Sequence, residues 1–226
     1  MSVLDDLRDQ SLSERVYAWL REQILNGRFA PGQRLIEREL AELMQVSRVP
    51  LREALPLLEN DGFVKLLPRR GAVVTQPTLR DIDELFDVRE SLEVLAARLA
   101  ARRAAADPGA PDVLALADCI QRARRALADG DDATAAAANV AFHRQIVKAS
   151  GHLLLHDLMQ PLDGRMEWLF RMTGDRDLTL QCAEHEQLYE ALRTGNVDLA
   201  GSLAFVHVAS GRAPSLRTLL GVLPPS

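Results

Sequence analysis

The chain has 226 residues, 47% hydrophobic, 26% charged and only 4% aromatic, with a formal net charge of −5. That length holds one large domain or two modest ones, and its Ala- and Leu-rich, aromatic-poor composition favours helix over sheet. No uncharged apolar run approaches the roughly 18 residues of a membrane span. The start MSVLDDLRDQ is too polar and acidic for a signal peptide, and Cys119 and Cys182 alone make no disulfide framework, so no membrane partner and a cytoplasmic location are expected.

Ser11–Asn26 reads as a helix, with Ser13 as its cap, Val16, Leu20 and Ile24 at helical spacing, and Asn26-Gly27 as its stop. A short helix, Glu37–Met44, follows the turn Ala30-Pro31-Gly32, with Leu40 and Leu43 expected inward. Gln45-Val46 is a tight connection, and Ser47 is the expected cap of a third helix reaching Asn60. Leu51, Leu55 and Leu58 form its core face, and Pro56 should kink or strain it. Phe63–Leu67 and Ala72–Thr75 read as two strands around the turn Pro68-Arg69-Arg70-Gly71. Three helices and a hairpin are the plan of a winged helix-turn-helix spanning residues 1–76.

Residues 77–79 read as a linker, after which the strand signal disappears. Asp81–Ala106, Asp112–Asp129, Asp131–Ser150, His152–Met172, Asp177–Arg193 and Val197–Ser210 read as helices, separated at Pro or Gly. Residues 80–226 are therefore expected to be an all-α bundle, and the protein as a whole mainly α.

The net charge alone argues against nucleic acid, but its distribution matters more. Residues 1–77 carry 11 basic and 11 acidic side chains, so the negative excess lies downstream. Arg48, Arg52, Lys65, Arg69 and Arg70 fall in one short span. The tight connection between the second and third helices forces a steep crossing, which lets the third enter a major groove. Ser47, Arg48, Pro50 and Arg52 lie on its first turn and a half, where side chains reach base edges and exposed N–H groups favour a phosphate. Single arginines at these positions could merely solvate an exposed helix; the ensemble argues for DNA.

The bundle places polar residues on apolar faces. Arg89 lies on the stripe Ile82, Leu85, Leu92, Ala96, Leu99, and a buried guanidinium needs a partner, either Glu93 or an anionic ligand. Asn139 and His143 share a face, His185 lies with Cys182, Leu188 and Leu192, and His207 lies with Leu203 and Ala204. One such histidine is ordinarily a hydrogen-bonded core residue. Three with an Asn, on three helices, suit a divalent ion such as zinc or nickel with open coordination positions. Cys182 reads better as a small buried hydrophobe than as a ligand. His152 and His156 read as surface or packing residues. A metalloenzyme that activates water at the three histidines is the rival reading, but Glu184 and Glu186, which flank His185, should point away from it.

The run RLIERELAELMQVSRVPLREALPLLENDGFVKLLPRRGAVV resembles the DNA-binding domain of GntR-family regulators. The resemblance implies that Arg38, Ser47, Arg48, Pro50 and Arg52 meet phosphates or bases, with Arg48 and Arg52 as guanine readers. It places Arg70 and Gly71 at a wing tip in the minor groove. The segments DELFDVRESLEVLAARLAA, NVAFHRQIVKASG and CAEHEQLYEALRTGNVDLA, with His207, resemble the FCD effector domain of the FadR-type branch. That resemblance implies a metal held by Asn139 (where metal-binding members carry Asp), His143, His185 and His207, and a small organic acid steered by Arg89. It also implies a homodimer on double-stranded operator DNA, a repressor rather than an enzyme.

Overall fold

A computed structural model describes residues 11–68, 71–173 and 177–226. The chain divides into two compact units that meet between Pro77 and Thr78.

The first unit comprises α1 (Leu12–Leu25), β1 (Arg34–Leu35), α2 (Glu37–Met44), α3 (Arg48–Asn60), β2 (Val64–Leu67) and β3 (Gly71–Val74). Ser11, not Ser13, caps α1: its hydroxyl accepts from the Glu14 N–H while the Glu14 carboxylate accepts from the Ser11 N–H. Ser13 lies inside the first turn and cannot serve. Val16, Leu20 and Ile24 face a core shared with Leu40, Met44, Leu51, Leu55 and Leu58. Leu43 is 43% exposed, and Met44 takes the inward place because it stands one turn from Leu40.

Gln45, at φ 55°, makes the left-handed turn between α2 and α3. Ser47 occupies the position before α3 in extended conformation, but its side chain makes no capping bond. The helix runs unbroken past Pro56, which is exposed, because Leu55 and Leu58 on either side are buried in the core. The sheet order is β1-β3-β2, all antiparallel, with Arg34 opposite Val73 and Leu67 opposite Gly71. β1 has no counterpart in the sequence reading. Gly71 has φ +81°, and a Cβ there would lie 2.2 Å from the Leu35 carbonyl oxygen, so only glycine lets β3 pass this close to β1.

The second unit contains, among the described residues, α4 (Leu79–Ala106), α5 (Pro111–Ala128), α6 (Asp132–Ala149), α7 (Leu153–Met172), α8 (Leu178–Arg193) and α9 (Val197–Leu219). Leu79, expected in a linker, is helical, since Thr78 and Asp81 form a capping box at the start of α4. The last helix extends nine residues beyond the expected stop at Ser210, through Pro214. Gly211, Ser215 and Leu219 form its buried face there, and that packing overrides the local Gly and Pro signals. α4 and α9 lie antiparallel: Gly195 approaches Ala105, Gly201 approaches Arg98, and Arg212 pairs with Asp83. The close approach uses small residues, including Ala97, Ala100, Ala101, Ala104, Ala200 and Ala204, all buried. The tail returns to the start of the unit, where the Leu79 N–H donates to the Pro224 carbonyl at 2.8 Å. No helix among the described residues is long and apolar enough to cross a membrane.

Candidate functional site

In the first unit, α3 and the first turn of α2 present one charged surface. Arg38, Ser47, Arg48 and Arg52 are exposed. Pro50 is not: it is buried on the inner side of α3, so it shapes the start of the helix and offers no side chain to DNA. Proline is tolerated there because a first-turn N–H has no partner within the helix. Arg34, Glu37, Arg38, Arg48, Arg52 and Gly71 line a concavity of about 380 Å3. Arg69 and Arg70 lie outside the described residues.

The carboxylate of Glu37 sits within this set. Its Oε2 accepts from Arg52 Nε at 2.9 Å and from Arg48 Nη2 at 3.2 Å. Burial pushes the Glu37 carboxyl up, but the hydrogen bonds and charges of Arg52 and Arg48 outweigh it and hold the group below the ordinary carboxylate value.

The second unit gathers its buried polar groups at one place. α4 supplies Arg89 and Glu93, α6 supplies Asn139 and His143, α8 supplies His185, and α9 supplies His207, and all six are buried. One nitrogen from each of His143, His185 and His207 lies within 4.8 Å of the others. His207 Nε2 is 3.1 Å from His185 Nε2 and 3.3 Å from His143 Nε2. The opposite nitrogens meet carboxylates: His143 Nδ1 is 2.8 Å from Glu93 Oε2, and His207 Nδ1 is 2.6 Å from Glu184 Oε2. Phe142 stacks on His185 and Phe170 on His143, which fixes the planes of both rings.

The protonation states follow from these partners. Burial raises the cost of ionising Glu93, but the charge of Arg89 and the hydrogen bonds from Arg89 and His143 prevail and hold its carboxyl far below the usual range. Burial lowers the His143 value in spite of the attraction of Glu93, so the ring is neutral. A neutral ring facing a carboxylate must donate from Nδ1, which leaves a lone pair on Nε2. His207 likewise turns its Nδ1 to a carboxylate, that of Glu184. The Nε2 atoms of His143 and His207 face each other across 3.3 Å, the separation that two nitrogen ligands of one tetrahedral ion would show.

His143, His185 and His207 form a donor set that could hold a metal ion, and two further features bear on it. Asn139 donates its Nδ2 to Gln181 Oε1 at 3.1 Å, while its buried Oδ1 has no protein partner. Asn139 and Gln181 each stand one turn before a site histidine, His143 and His185. The carboxylates also hold the rings in the orientation that ligating histidines require. A cavity of about 10 Å3, space for about one water, is lined by residues including Glu93, His143, Leu188, Ala204 and His207. His143 also lines an open cleft of about 320 Å3 between α6 and α7, along with Arg144, Lys148, His156 and Asp163.

Arg89 is 2% exposed and lies between the faces of Phe86 and Phe170, 5.1 and 5.0 Å from the ring centres. Its Nε donates to Glu93 Oε1 at 2.7 Å, and its Nη1 has no protein partner. Glu93, one of the two partners the sequence left open for it, is in place. Glu184 does not point away from the site as expected, because it reaches His207 across the α8–α9 contact. Cys182 is buried with its thiol 3.7 Å from Glu186, outside the histidine group. His152 and His156 are exposed, and His152 caps α7.

Sequence reasoning missed Glu37, Gln181 and the histidine-facing oxygen of Glu93. Gln181 carried a signal, since it repeats before His185 the spacing of Asn139 before His143. Glu37 and Glu93 carried none, because their bonds join residues 11 and 50 positions away.

Residues 12–74 match the model of bacterial regulatory proteins of the gntR family, and residues 84–210 match the FCD domain. The chain is 30% identical to the uncharacterized HTH-type transcriptional regulator YdhC of Bacillus subtilis, over 84% of this chain and 85% of that protein. It is 29% identical to the HTH-type transcriptional regulator LutR of the same organism, over 83% and 93% respectively. The crystal structure of a GntR transcriptional regulator from Rhodococcus sp. RHA1 superposes with a TM-score of 0.74 at 28% identity, covering 92% of this chain and 99% of that one.

Proposed function

Because the chain belongs to the GntR family of bacterial transcriptional regulators and carries an FCD domain, we propose that it is a dimeric repressor released from operator DNA by a small carboxylate bound beside a divalent metal ion. The observation that carries this reading is the convergence of one nitrogen from each of His143, His185 and His207 within 4.8 Å, with the Nδ1 atoms of His143 and His207 turned to carboxylates. His143, His185, His207 and the unpartnered Oδ1 of Asn139 would hold the ion, zinc or nickel by ligand type. The bound ion supplies a positive charge and open positions for a carboxylate. The small cavity and the open cleft, both lined by His143, favour a compact acid that enters between α6 and α7.

Arg89 acts on this site through Glu93, which stands between it and His143. Glu93 and Glu184 each hold a histidine, so neither serves as a general base, and the hydrolytic reading gains no support. On DNA, Arg38, Ser47, Arg48 and Arg52 form the reading surface with the wing at Arg70 and Gly71. The homodimer is supported by Val88 and Leu95 on α4 and Leu199, Phe205 and Val206 on α9, all 41% or more exposed on two adjacent antiparallel helices.

The test begins with a duplex selected by the protein from a randomised pool. Metal analysis is expected to give about one zinc or nickel per protomer, and a panel of small mono- and dicarboxylates should include one that weakens DNA binding at least tenfold. A protein that takes up no metal on loading, or whose DNA affinity ignores every acid in the panel, contradicts the reading.

A further inference from the structure

The reading surface contains a carboxylate that a DNA-binding face has no evident use for. Glu37 stands in the first turn of α2, and its single oxygen Oε2 joins Arg48 on the first turn of α3 to Arg52 on the next. The side chain of Glu37 is 21% exposed, while those of Arg48 and Arg52 are 57% and 60% exposed, so the acid lies beneath the two bases. The Arg52 side chain is 60% exposed and bonds Glu37 through Nε, a bond that does not use its two terminal nitrogens. Those are the atoms that would pair with O6 and N7 of a guanine.

We propose that Glu37 is a specificity-determining residue, which aims Arg48 and Arg52 at base edges and cancels part of the charge that would bind any phosphate. The inference rests on the assignment of these two arginines as base readers. A free arginine has many rotamers and can settle on a phosphate of any sequence. One fixed at Nε has fewer choices and loses less freedom when it meets its base. The negative charge within a concavity whose other charged residues are Arg34, Arg38, Arg48 and Arg52 lowers its attraction for the backbone. Both effects act in the same direction: they spare the correct duplex and penalise all others.

Affinities of the full-length protein for the selected duplex and for a scrambled duplex of the same composition, measured across a salt series, provide the test. Glu37→Gln keeps the size of the side chain and removes its charge. It is expected to raise affinity for the scrambled duplex several-fold, steepen the salt slope by about 0.9, and lower the selected-to-scrambled ratio about tenfold. Glu37→Asp retains the charge and is expected to keep the salt slope of the native protein. A Gln variant whose ratio stays within twofold of native overturns the proposal, as does an equal loss on both duplexes. If Gln fails to fold, an Asp variant with the steepened slope overturns it. Arg52→Ala in the same series separates the two levels. If it leaves the selected duplex bound as before, the assignment of the base readers has failed, whereas a loss there beside an unchanged Glu37→Gln ratio fails Glu37 alone.

Discussion

Replacing Arg48 and Arg52 together by alanine is expected to lower affinity for the selected duplex by a hundredfold or more. Each guanidinium that reads a guanine contributes roughly 1–3 kcal/mol of discrimination, and the two sit on one face of α3, one turn apart. The substitutions leave the fold intact, because both side chains are more than half exposed and the buried face of that helix is Leu51, Leu55 and Leu58. Affinity for a scrambled duplex should fall much less, by the counterion term alone. The sequence-specific loss is the signature of base reading. Equal losses on both duplexes would reduce the two arginines to phosphate contacts.

The second large effect concerns Glu93→Ala. Removing this carboxylate strands the Arg89 guanidinium, 2% exposed between two aromatic rings, and frees the His143 ring. Breaking a buried pair from one side costs roughly 3–5 kcal/mol, because the remaining charge has no water to replace its partner. For a unit of this size that corresponds to a fall in Tm of about 10 °C. Exchanging both partners for apolar residues, Arg89→Met with Glu93→Leu, should recover part of the loss in stability while metal binding stays weak. That split separates the structural role of the pair from its role in aiming His143. The pH dependence has a definite sign. The folded value of Glu93 is depressed, so its contribution is complete above the ordinary carboxylate value of 4.5 and is lost only as the pH falls well below it. A Glu93→Ala protein that melts with the native one would refute this account of the core.

The elements legible in the sequence are those whose signals are local. The spacing of Val16, Leu20 and Ile24, the Asn-Gly stop and the β-branched return strand mark the first unit with no knowledge of its packing. β1 was invisible because two residues carry no alternation, and it exists only by pairing with β3. The end of α9 was invisible for the opposite reason. Its local signals are real, but burial of Ser215 and Leu219 outweighs them.

The same division runs through the polar site. Asn139, His143, His185 and His207 announce themselves as polar groups on apolar helix faces. The bonds that give those rings their chemistry join α4 to α6 and α8 to α9, and no periodicity within one helix reports them. Pro50 illustrates how a motif can mislead: its place in the run Val-Ser-Arg-Val-Pro suggested contact with DNA, but its ring is buried.

The central claim couples the buried histidines to the DNA-reading surface, and one titration tests it. The native protein and His143→Ala are each stripped by a chelator and reloaded with zinc or nickel. Affinity for the selected duplex is then followed by fluorescence anisotropy, with and without a carboxylate that acts on the native protein. The account predicts that His143→Ala still binds the duplex, within a few-fold of native, but loses metal and with it the response to the acid. A variant that releases DNA on adding the acid as the native protein does would contradict it.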